Sequence, residues 1–348
     1  MINAFCFYFG DDGWSRHARP LFGAWRRLEH VNVVSWNKPA RGEGFERSEP
    51  APDVPGVGLG PIEFMTRVVG SRRVAYVVWE TTVMPSDKVA ILRTMDEVWT
   101  PSGWGRGLLV NNGLEADKVG VVPEGVDVET FRPGGGGREE GRPFRFLFVG
   151  KWEARKGVEL LVEAFCEEFG ADEPVELVLH GWNPYLPHFD LDARVRRAVG
   201  GRRAAPVTAS HPLTEDAHVR LYNSCDAFVL PTRAEGWGLP VTEAMACGLP
   251  VIVTDYSAPA EYLSDDCAYL IPVERFVPVS DPYFFPSGGA LGVWAQPDAG
   301  ALRELMRRAF ENPEEAREKG RRARAKVCAQ LTWGHAAETA RRVLWQRA

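Results

Sequence analysis

The sequence carries one pattern twice: short β-rich runs alternate with amphipathic, helix-like segments over residues 1–133 and again over residues 144–331. Such alternation predicts a parallel sheet with helices on both faces. Residues 134–143 separate the halves and begin with four consecutive glycines, which indicates a flexible linker. We therefore expect two Rossmann-like, doubly wound α/β domains facing a central cleft, because ligands bind at the carboxyl ends of such sheets.

Individual elements are predicted from the period of the apolar residues. Strands are expected at residues 3–9, 31–35, 73–79, 97–100, 119–122, 144–149, 175–179, 227–230 and 251–254. Helices are expected at residues 15–28, 86–94, 102–111, 158–169, 214–225, 241–247, 298–311, 313–330 and 332–347. Residues 39–55 and 278–292 are rich in turn-forming residues and are predicted to be a surface loop and a surface excursion.

Composition excludes several classes of protein. The formal net charge of −6 gives no argument for nucleic-acid binding, and no basic amphipathic helix favours a membrane surface. The six cysteines are scattered without metal-ligand spacing, so we expect small buried side chains in a reducing cytoplasm. The apolar run at residues 2–9 is too short for a signal peptide and is predicted to be the first strand.

The strongest chemical signal is the run Ala-Glu-Gly-Trp-Gly-Leu-Pro-Val-Thr-Glu at residues 234–243. Glu235 lies in a glycine-rich loop after a predicted strand, and Glu243 lies on the helix that follows. Gly236 and Gly238 let the backbone approach a ligand closely, and the amides of a helix start suit hydroxyls or phosphate. A helix N-terminus favours acids in any case, which explains one glutamate but not the glycine spacing. The run therefore predicts a ligand site.

This run resembles the E-x7-E signature of the retaining glycosyltransferases of family four, which have the GT-B fold. Three further segments match that family in the same order, so the resemblance covers nearly the whole chain. They are residues 123–133, residues 148–158, and residues 331–333 with the closing helix at 332–348, which would complete the first domain. The resemblance implies transfer of a sugar from a nucleotide diphosphate to an acceptor, without a metal or other cofactor.

The resemblance also assigns roles to residues. Glu243 would bind the ribose of the nucleotide, and Lys156 would neutralise the diphosphate as its bond to the sugar breaks. Glu235 would hold the donor sugar, helped by the backbone amides that follow it. Those amides belong to Gly236, Trp237, Gly238 and Leu239.

Two positions depart from the family's pattern. Lys151 stands where the family usually has arginine, and lysine keeps the charge but loses the fork that grips phosphate through two bonds. Arg155 either compensates for this loss or is a surface charge at a helix start. Glu80 stands where the family often has histidine; it would contact a sugar hydroxyl or the acceptor nucleophile, or be a strand-end acid that faces solvent.

Two weaker candidates complete the predicted site, and a further motif is interpreted as lying outside it. Gly13 lies in a loop that would face the diphosphate and the acceptor, although a tight turn between strand and helix has the same sequence. Leu213 falls where relatives line the nucleotide base through backbone atoms. Asp190 and Asp192 form a D-x-D pair of the kind that binds metal in other transferases, and we interpret it as a surface feature.

Two alternatives remain at this stage. Besides a transferase, the chain could be a degenerate relative that binds sugar nucleotides without turnover, or another GT-B enzyme such as a sugar-nucleotide epimerase. The acceptor, whether sugar, lipid or protein, leaves no recognisable pattern in the sequence, and neither do the donor sugar and its base.

Overall fold

The computed structural model describes residues 1–10, 12–38, 48–134, 141–181, 183, 185–186, 188–210, 214–281, 283–286 and 288–346. The chain divides into two units, the first made of Met1–Gly125 with Leu331–Ala348 and the second of Val126–Gln330. The predicted domain limit at residue 133 and the linker over 134–143 stay predictions, because residues 135–140 lie outside the described part.

A six-stranded parallel sheet forms the centre of the first unit. Its strands are β1 (Ile2–Cys6), β2 (Val31–Ser35), β3 (Gly56–Leu59), β4 (Arg73–Tyr76), β5 (Glu97–Thr100) and β6 (Val119–Val121). They follow the order β2-β1-β3-β4-β5-β6, and every neighbouring pair is parallel. The direction in which strands are added reverses between β1 and β3, which makes this point the place where such sheets bind ligands.

Among the described residues, three α-helices connect these strands: α1 (Gly13–Trp25), α2 (Ser86–Arg93) and α3 (Gly103–Asn111). Helix α1 begins where the Asp12 carboxylate accepts hydrogen bonds from the amides of Trp14 and Ser15. Its apolar face buries Phe22 and Trp25 completely, and the Trp25 indole stacks on Trp99 of the sheet. This aromatic packing fixes α1 against the strands.

The second unit is also built on a six-stranded parallel sheet. Its strands are β7 (Phe144–Val149), β8 (Val175–His180), β9 (Val207–Ala209), β10 (Ala227–Leu230), β11 (Val251–Thr254) and β12 (Ala268–Ile271). The order β12-β11-β10-β7-β8-β9 is that of a Rossmann sheet. The strand order reverses between β7 and β10, so the loops after these two strands line the expected ligand crevice.

Seven helices and a hairpin complete the described part of this unit. The helices are α4 (Val158–Glu168), α5 (Leu191–Val199), α6 (Glu215–Asn223), α7 (Leu239–Ala246), α8 (Pro259–Tyr262), α9 (Ala299–Glu311) and α10 (Pro313–Gln330). The antiparallel hairpin joins β13 (Val273–Pro278) to β14 (Val293–Pro297). The last helix of the chain, α11 (Trp333–Gln346), belongs to the first unit and packs on α1.

The structure adds elements that the sequence pattern did not reveal. Strand β3 lies in the middle of its sheet, yet two of its four residues are glycine, which has low strand propensity. Glycine is required there, because a Cβ on Gly58 would lie 2.5 Å from the Val68 side chain. Strands β9 and β12 and helix α5 were also missed. The predicted excursion at 278–292 lies between the two strands of the hairpin.

All six cysteines are free, and five of them are buried, as expected for small apolar side chains. None of the helices in the described part of the chain combines the length and the apolar character that a membrane crossing requires.

Candidate active site

The candidate site of the second unit lies where the loops after β7 and β10 meet. A Cβ on Gly157, whose φ is +69°, would lie 2.1 Å from the carbonyl oxygen of Pro231, so only glycine allows this contact. The amide of Arg233 donates a 2.7 Å hydrogen bond to the carbonyl of Arg155 across the same gap. The two predicted motifs are therefore joined by their main chains at the switch point of the sheet.

A buried cluster of charges occupies this junction. The Lys156 ammonium lies 2.6 Å from Oε1 of Glu235, and a guanidinium nitrogen of Arg155 lies 3.2 Å from the same oxygen. The Thr232 hydroxyl is 2.9 Å from that oxygen as well. Side-chain exposures of 8%, 6% and 5% for Lys156, Arg155 and Glu235 exclude bulk water from these contacts. The structure therefore brings the side chains of Lys156 and Glu235 together.

The electrostatics of the cluster fix the charge of Glu235. Burial alone would raise the pKa of this carboxyl, but the charges of Lys156 and Arg155 and the hydrogen bonds of Lys156 and Thr232 lower it to about 2. Burial lowers the pKa of Lys156, and the charge of Glu235 opposes that effect. Glu235 is therefore ionised near neutral pH and can accept hydrogen bonds but cannot supply a proton.

A second acid, Glu153, extends the cluster. One of its oxygens lies 2.6 Å from Arg155, and the other lies 3.5 Å from the Lys151 ammonium. Burial would raise the pKa of Glu153, but the charges of Arg155, Lys151 and Lys156 hold it below its usual value. Arg155 is thus a buried member of the network rather than a surface charge. Lys151 is less enclosed, with 41% of its side chain exposed.

The loop after Glu235 leads directly into α7. Gly238 precedes the helix with a φ of +101°, which glycine adopts without strain. The Trp237 side chain is buried against Tyr262, with ring centroids 4.9 Å apart, and Tyr262 donates to the Trp237 carbonyl. The indole therefore packs inside the protein, which leaves the backbone of residues 236–239 as the part able to meet a ligand.

The backbone of Glu235 is itself anchored by a neighbouring loop. Its amide donates a 2.9 Å hydrogen bond to the Ser257 hydroxyl, and its carbonyl accepts a 3.3 Å bond from the amide of Ala258. Ser257 holds this position with a φ of +59°, an unusual value for a residue other than glycine. The carboxylate of Glu235 is thus fixed from both the side chain and the main chain.

Glu243 projects from the first turns of α7 and is 4% exposed. The hydroxyl of Tyr222, on α6, donates a 2.8 Å hydrogen bond to Oε2 of Glu243. Tyr222 is itself fully buried and packs edge-on against Phe131. The carboxylate is therefore held in one orientation, which suits recognition of two adjacent hydroxyls.

The predicted residues of the first unit lie at carboxyl ends of strands. Gly13 is the first residue of α1, after the loop that follows β1, and a Cβ there would meet no atom within 4 Å. Glu80 lies four residues beyond β4 and is partly exposed. Its neighbour Thr81 is buried and donates to the carbonyl of Val83. Leu213 lies outside the described residues.

The D-x-D pair has a structural explanation. Asp190 caps helix α5, since its side chain accepts a 2.9 Å hydrogen bond from the amide of Ala193. Within the ranges that the structure describes, no group of three or more His, Cys, Asp or Glu side chains is arranged to hold a metal ion. Independence from metal stays a prediction.

Sequence reasoning missed the side chains that orient the site. These are Glu153, Tyr222, Thr232 and Ser257. Glu153 and Thr232 lie within three residues of predicted site residues, and this proximity could have identified them. Tyr222 and Ser257 come from segments that carry no recognisable motif.

Comparison with known proteins adds a family match and a fold match. Residues 143–278 match the family model for glycosyl transferases group 1. The D-inositol 3-phosphate glycosyltransferase of Acidothermus cellulolyticus is 30% identical over 171 residues, which are 46% of this chain and 37% of that protein. The phosphatidyl-myo-inositol mannosyltransferase of Mycobacterium tuberculosis is 30% identical over 167 residues, 46% of this chain and 41% of that protein. The chain thus matches less than half the length of either relative.

Two solved structures are similar over almost the whole chain. Sucrose-phosphate synthase from Thermosynechococcus elongatus gives a TM-score of 0.74 at 18% identity and covers 99% of this chain and 98% of its own. HepE from Anabaena, solved with UDP-glucose, gives a TM-score of 0.71 at 12% identity, with 99% and 100% covered. The chain therefore has the GT-B fold, and its residues 143–278 resemble glycosyl transferases group 1.

Proposed function

We propose that the chain is a retaining glycosyltransferase of family four, which transfers a sugar from a nucleotide diphosphate to an acceptor without a metal ion. The observation that carries this proposal is the buried Lys156–Glu235 pair, with Arg155 beside it, at the switch point of a Rossmann sheet. Such a point is where nucleotides bind, and a fixed cation there stabilises a departing phosphate.

The comparisons support the proposal at the level of reaction class. The relatives are named for glycosyl and mannosyl transfer, and the HepE structure contains UDP-glucose. The segment that matches the family model includes the donor-side residues of the second unit, from Lys151 to Glu243. Glu235 and Glu243 have the spacing of the E-x7-E signature.

The donor would be held at three points. Glu243, oriented by Tyr222, accepts hydrogen bonds from the two ribose hydroxyls. Lys156 and Lys151 neutralise the diphosphate, helped by amides of residues 236–239. Glu235 accepts hydrogen bonds from hydroxyls of the donor sugar, because its pKa of about 2 keeps it ionised. Leu213 would contribute backbone contacts to the base.

The reaction then consists of one bond exchange at the anomeric carbon. The bond from that carbon to the phosphate oxygen breaks, and its electron pair leaves with the nucleotide diphosphate. The acceptor oxygen forms the new bond on the same face, and its proton passes to the departing phosphate oxygen. Lys156 lowers the barrier by stabilising the charge that develops on the phosphate. Glu80 and Gly13 are proposed to contact the acceptor or the transferred sugar.

The first experiment is a thermal-shift screen of the purified chain against UDP, GDP, ADP and their sugar conjugates, with EDTA present. A ligand that binds only the folded state stabilises it by roughly 2.7 kcal/mol at a hundredfold excess over Kd. We expect a shift with one nucleotide that is lost in Glu243→Ala. A folded protein that responds to none of them contradicts the proposal.

The identified donor then allows a test of the chemistry. Incubation with candidate acceptors, followed by NMR of the product, should show the anomeric configuration of the donor sugar. An inverted product contradicts retention, and activity that EDTA abolishes contradicts metal independence. Binding without any turnover across acceptors would favour the degenerate relative instead.

A further inference from the structure

Between the strands β13 and β14, the hairpin has a tip, which here means Asp281 and residues 283–286. This tip is attached to the loop that holds Lys151 and Lys156. Asp281, 7% exposed, accepts a 3.1 Å hydrogen bond at Oδ2 from the amide of Ala154 in that loop. Its other oxygen, Oδ1, accepts bonds of 3.1 and 3.0 Å from the amides of Tyr283 and Phe284 in the tip. One buried carboxylate therefore bridges the tip and the loop.

The tip is also attached to the body of its own hairpin. The Phe285 ring packs edge-on against Trp294 of β14, with centroids 5.1 Å apart, and Trp294 is 1% exposed. In β14, the amide of Ala295 donates a hydrogen bond to the carbonyl of Arg233, which lies in the loop after β10. The hairpin is thus fixed to both loops of the candidate site.

This attachment places an aromatic ring beside Lys151. The ammonium lies 5.2 Å from the centroid of Phe284 and 5.4 Å from that of Tyr185. Both distances are within the range of cation–π attraction. The ammonium also lies 3.5 Å from a carboxylate oxygen of Glu153. A flexible, half-exposed lysine is thereby confined by two rings and a carboxylate.

We propose that Phe284 and Asp281 are positioning residues for Lys151, so that the hairpin tip orients the ammonium that meets the diphosphate of the donor. This inference rests on the proposed function. Lysine lacks the planar fork of arginine and holds phosphate as a mobile point charge, so its position has to be set by its surroundings. Asp281 places the tip, and the ring of Phe284 restricts the ammonium, which lowers the entropy lost when the diphosphate binds.

The hairpin tip lies beyond the segment that matches the family model, which ends at residue 278. The proposed positioning device is therefore built from residues outside the matched segment and acts on a residue inside it. No ligand atom needs to touch the tip for this role.

The experiment measures the Kd of the preferred nucleoside diphosphate by titration calorimetry in single and double variants. Phe284→Leu should weaken binding about two- to fivefold, the size of one exposed cation–π contact. Phe284→Tyr keeps the ring and should bind as the wild type does. Phe276→Leu is the matched control, because Phe276 is an exposed ring of the same hairpin that packs on Tyr256 instead.

The decisive comparison is a double-mutant cycle with Lys151→Met. If Phe284 acts through Lys151, the double variant binds as weakly as Lys151→Met alone, whereas a general structural effect adds to it. Asp281→Asn should resemble Phe284→Leu, because its single oxygen cannot serve both the loop and the tip.

The positioning role is overturned if the losses of nucleotide affinity in Phe284→Leu and Lys151→Met add in the double variant. It is also overturned if Kd is unchanged in both Phe284→Leu and Asp281→Asn. Either result leaves the proposed function standing. A wild-type chain that binds no nucleoside diphosphate overturns both. Thermal unfolding of each variant identifies any that fails to fold. If either Phe284→Leu or Asp281→Asn fails, the other variant tests the positioning role.

Discussion

The ammonium of Lys156 and the carboxylate of Glu235 form a 2.6 Å ion pair in a site where both side chains are less than a tenth exposed. A buried pair of this kind recovers its desolvation cost only while both partners remain charged. Its contribution to stability therefore depends on pH, and the direction follows from the pKa of Glu235.

Acid should remove the stabilisation that this pair supplies. The pKa of Glu235 falls from 4.5 to about 2 on folding, so its contribution is complete above about pH 4.5 and is lost as the pH falls towards 2. Urea unfolding followed by tryptophan fluorescence between pH 7 and pH 2.5 should show this loss in the wild type and a flatter profile in Glu235→Gln.

A matched control separates this effect from general acid sensitivity. Glu318 pairs with Arg321 and Arg322 on the exposed face of α10. Because such surface pairs are well solvated, Glu318→Gln should keep the pH profile of the wild type. An identical profile in Glu235→Gln and the wild type would contradict the role given to the buried pair.

Tyr222→Phe should weaken nucleotide binding without changing the fold. The substitution keeps the buried ring and removes the hydroxyl that donates to Glu243. We expect Kd for the preferred nucleoside diphosphate to rise about three- to tenfold, the value of one hydrogen bond. For the 2′,3′-dideoxy form of the same nucleotide, Kd should not change, because the ribose hydroxyls that we propose Glu243 binds are missing.

Tyr269→Phe provides the control for that measurement. Tyr269 is 2% exposed, and its hydroxyl makes no hydrogen bond to any residue in the described ranges. Removal of the Tyr269 hydroxyl should leave Kd unchanged for both the natural and the dideoxy nucleotide. An equal penalty for the natural and the dideoxy nucleotide in Tyr222→Phe would mean that Tyr222 does not act through Glu243.

Ser257 offers a test of backbone strain beside the site. Ser257→Ala and Ser257→Gly both remove the acceptor for the Glu235 amide, but only glycine adopts a φ of +59° freely. We expect the alanine variant to be less stable than the glycine variant by about 1 kcal/mol. Equal unfolding free energies in urea would show that this backbone conformation carries no measurable strain.

Gly320→Ala should destabilise the second unit. Gly320 lies inside α10, and a Cβ there would be 2.2 Å from the carbonyl oxygen of Gly248, so the helix would have to move. A loss of about 1–3 kcal/mol is typical of such overpacking. Gly23→Ala, inside α1 with no atom within 4 Å of the new Cβ, should instead be neutral or stabilise by up to about 1 kcal/mol. Similar urea midpoints for the two variants would contradict this packing.

The site residues that the sequence identified share one property: each belongs to a contiguous motif next to a clear strand. Lys156 follows β7 and Glu235 follows β10, so the order of strands alone brings them together. Tyr222 and Asp281 could not be found in this way, because their partners lie 21 and 127 residues away and are chosen by packing.

The same distinction explains what the fold prediction missed. Runs rich in Val, Ile and Phe identify β7 and β11, but β3 is only four residues long and alternates glycine with Val57 and Leu59, so its sequence contains no such run. Glycine is favoured in β3 because of the side chains that cross it, and a local pattern does not show those neighbours.

The main-chain contact between Gly157 and Pro231 has an evolutionary consequence. The gap between the two loops is set by atomic radii, so no exchange of side chains can widen or narrow it in small steps. Under the proposed function, descendants of this chain that change the donor sugar would keep this main-chain contact and alter only the side chains around it. Donor specificity would then diversify by substitution at single positions, while the spacing between the groups proposed to bind the sugar and the phosphate is inherited unchanged.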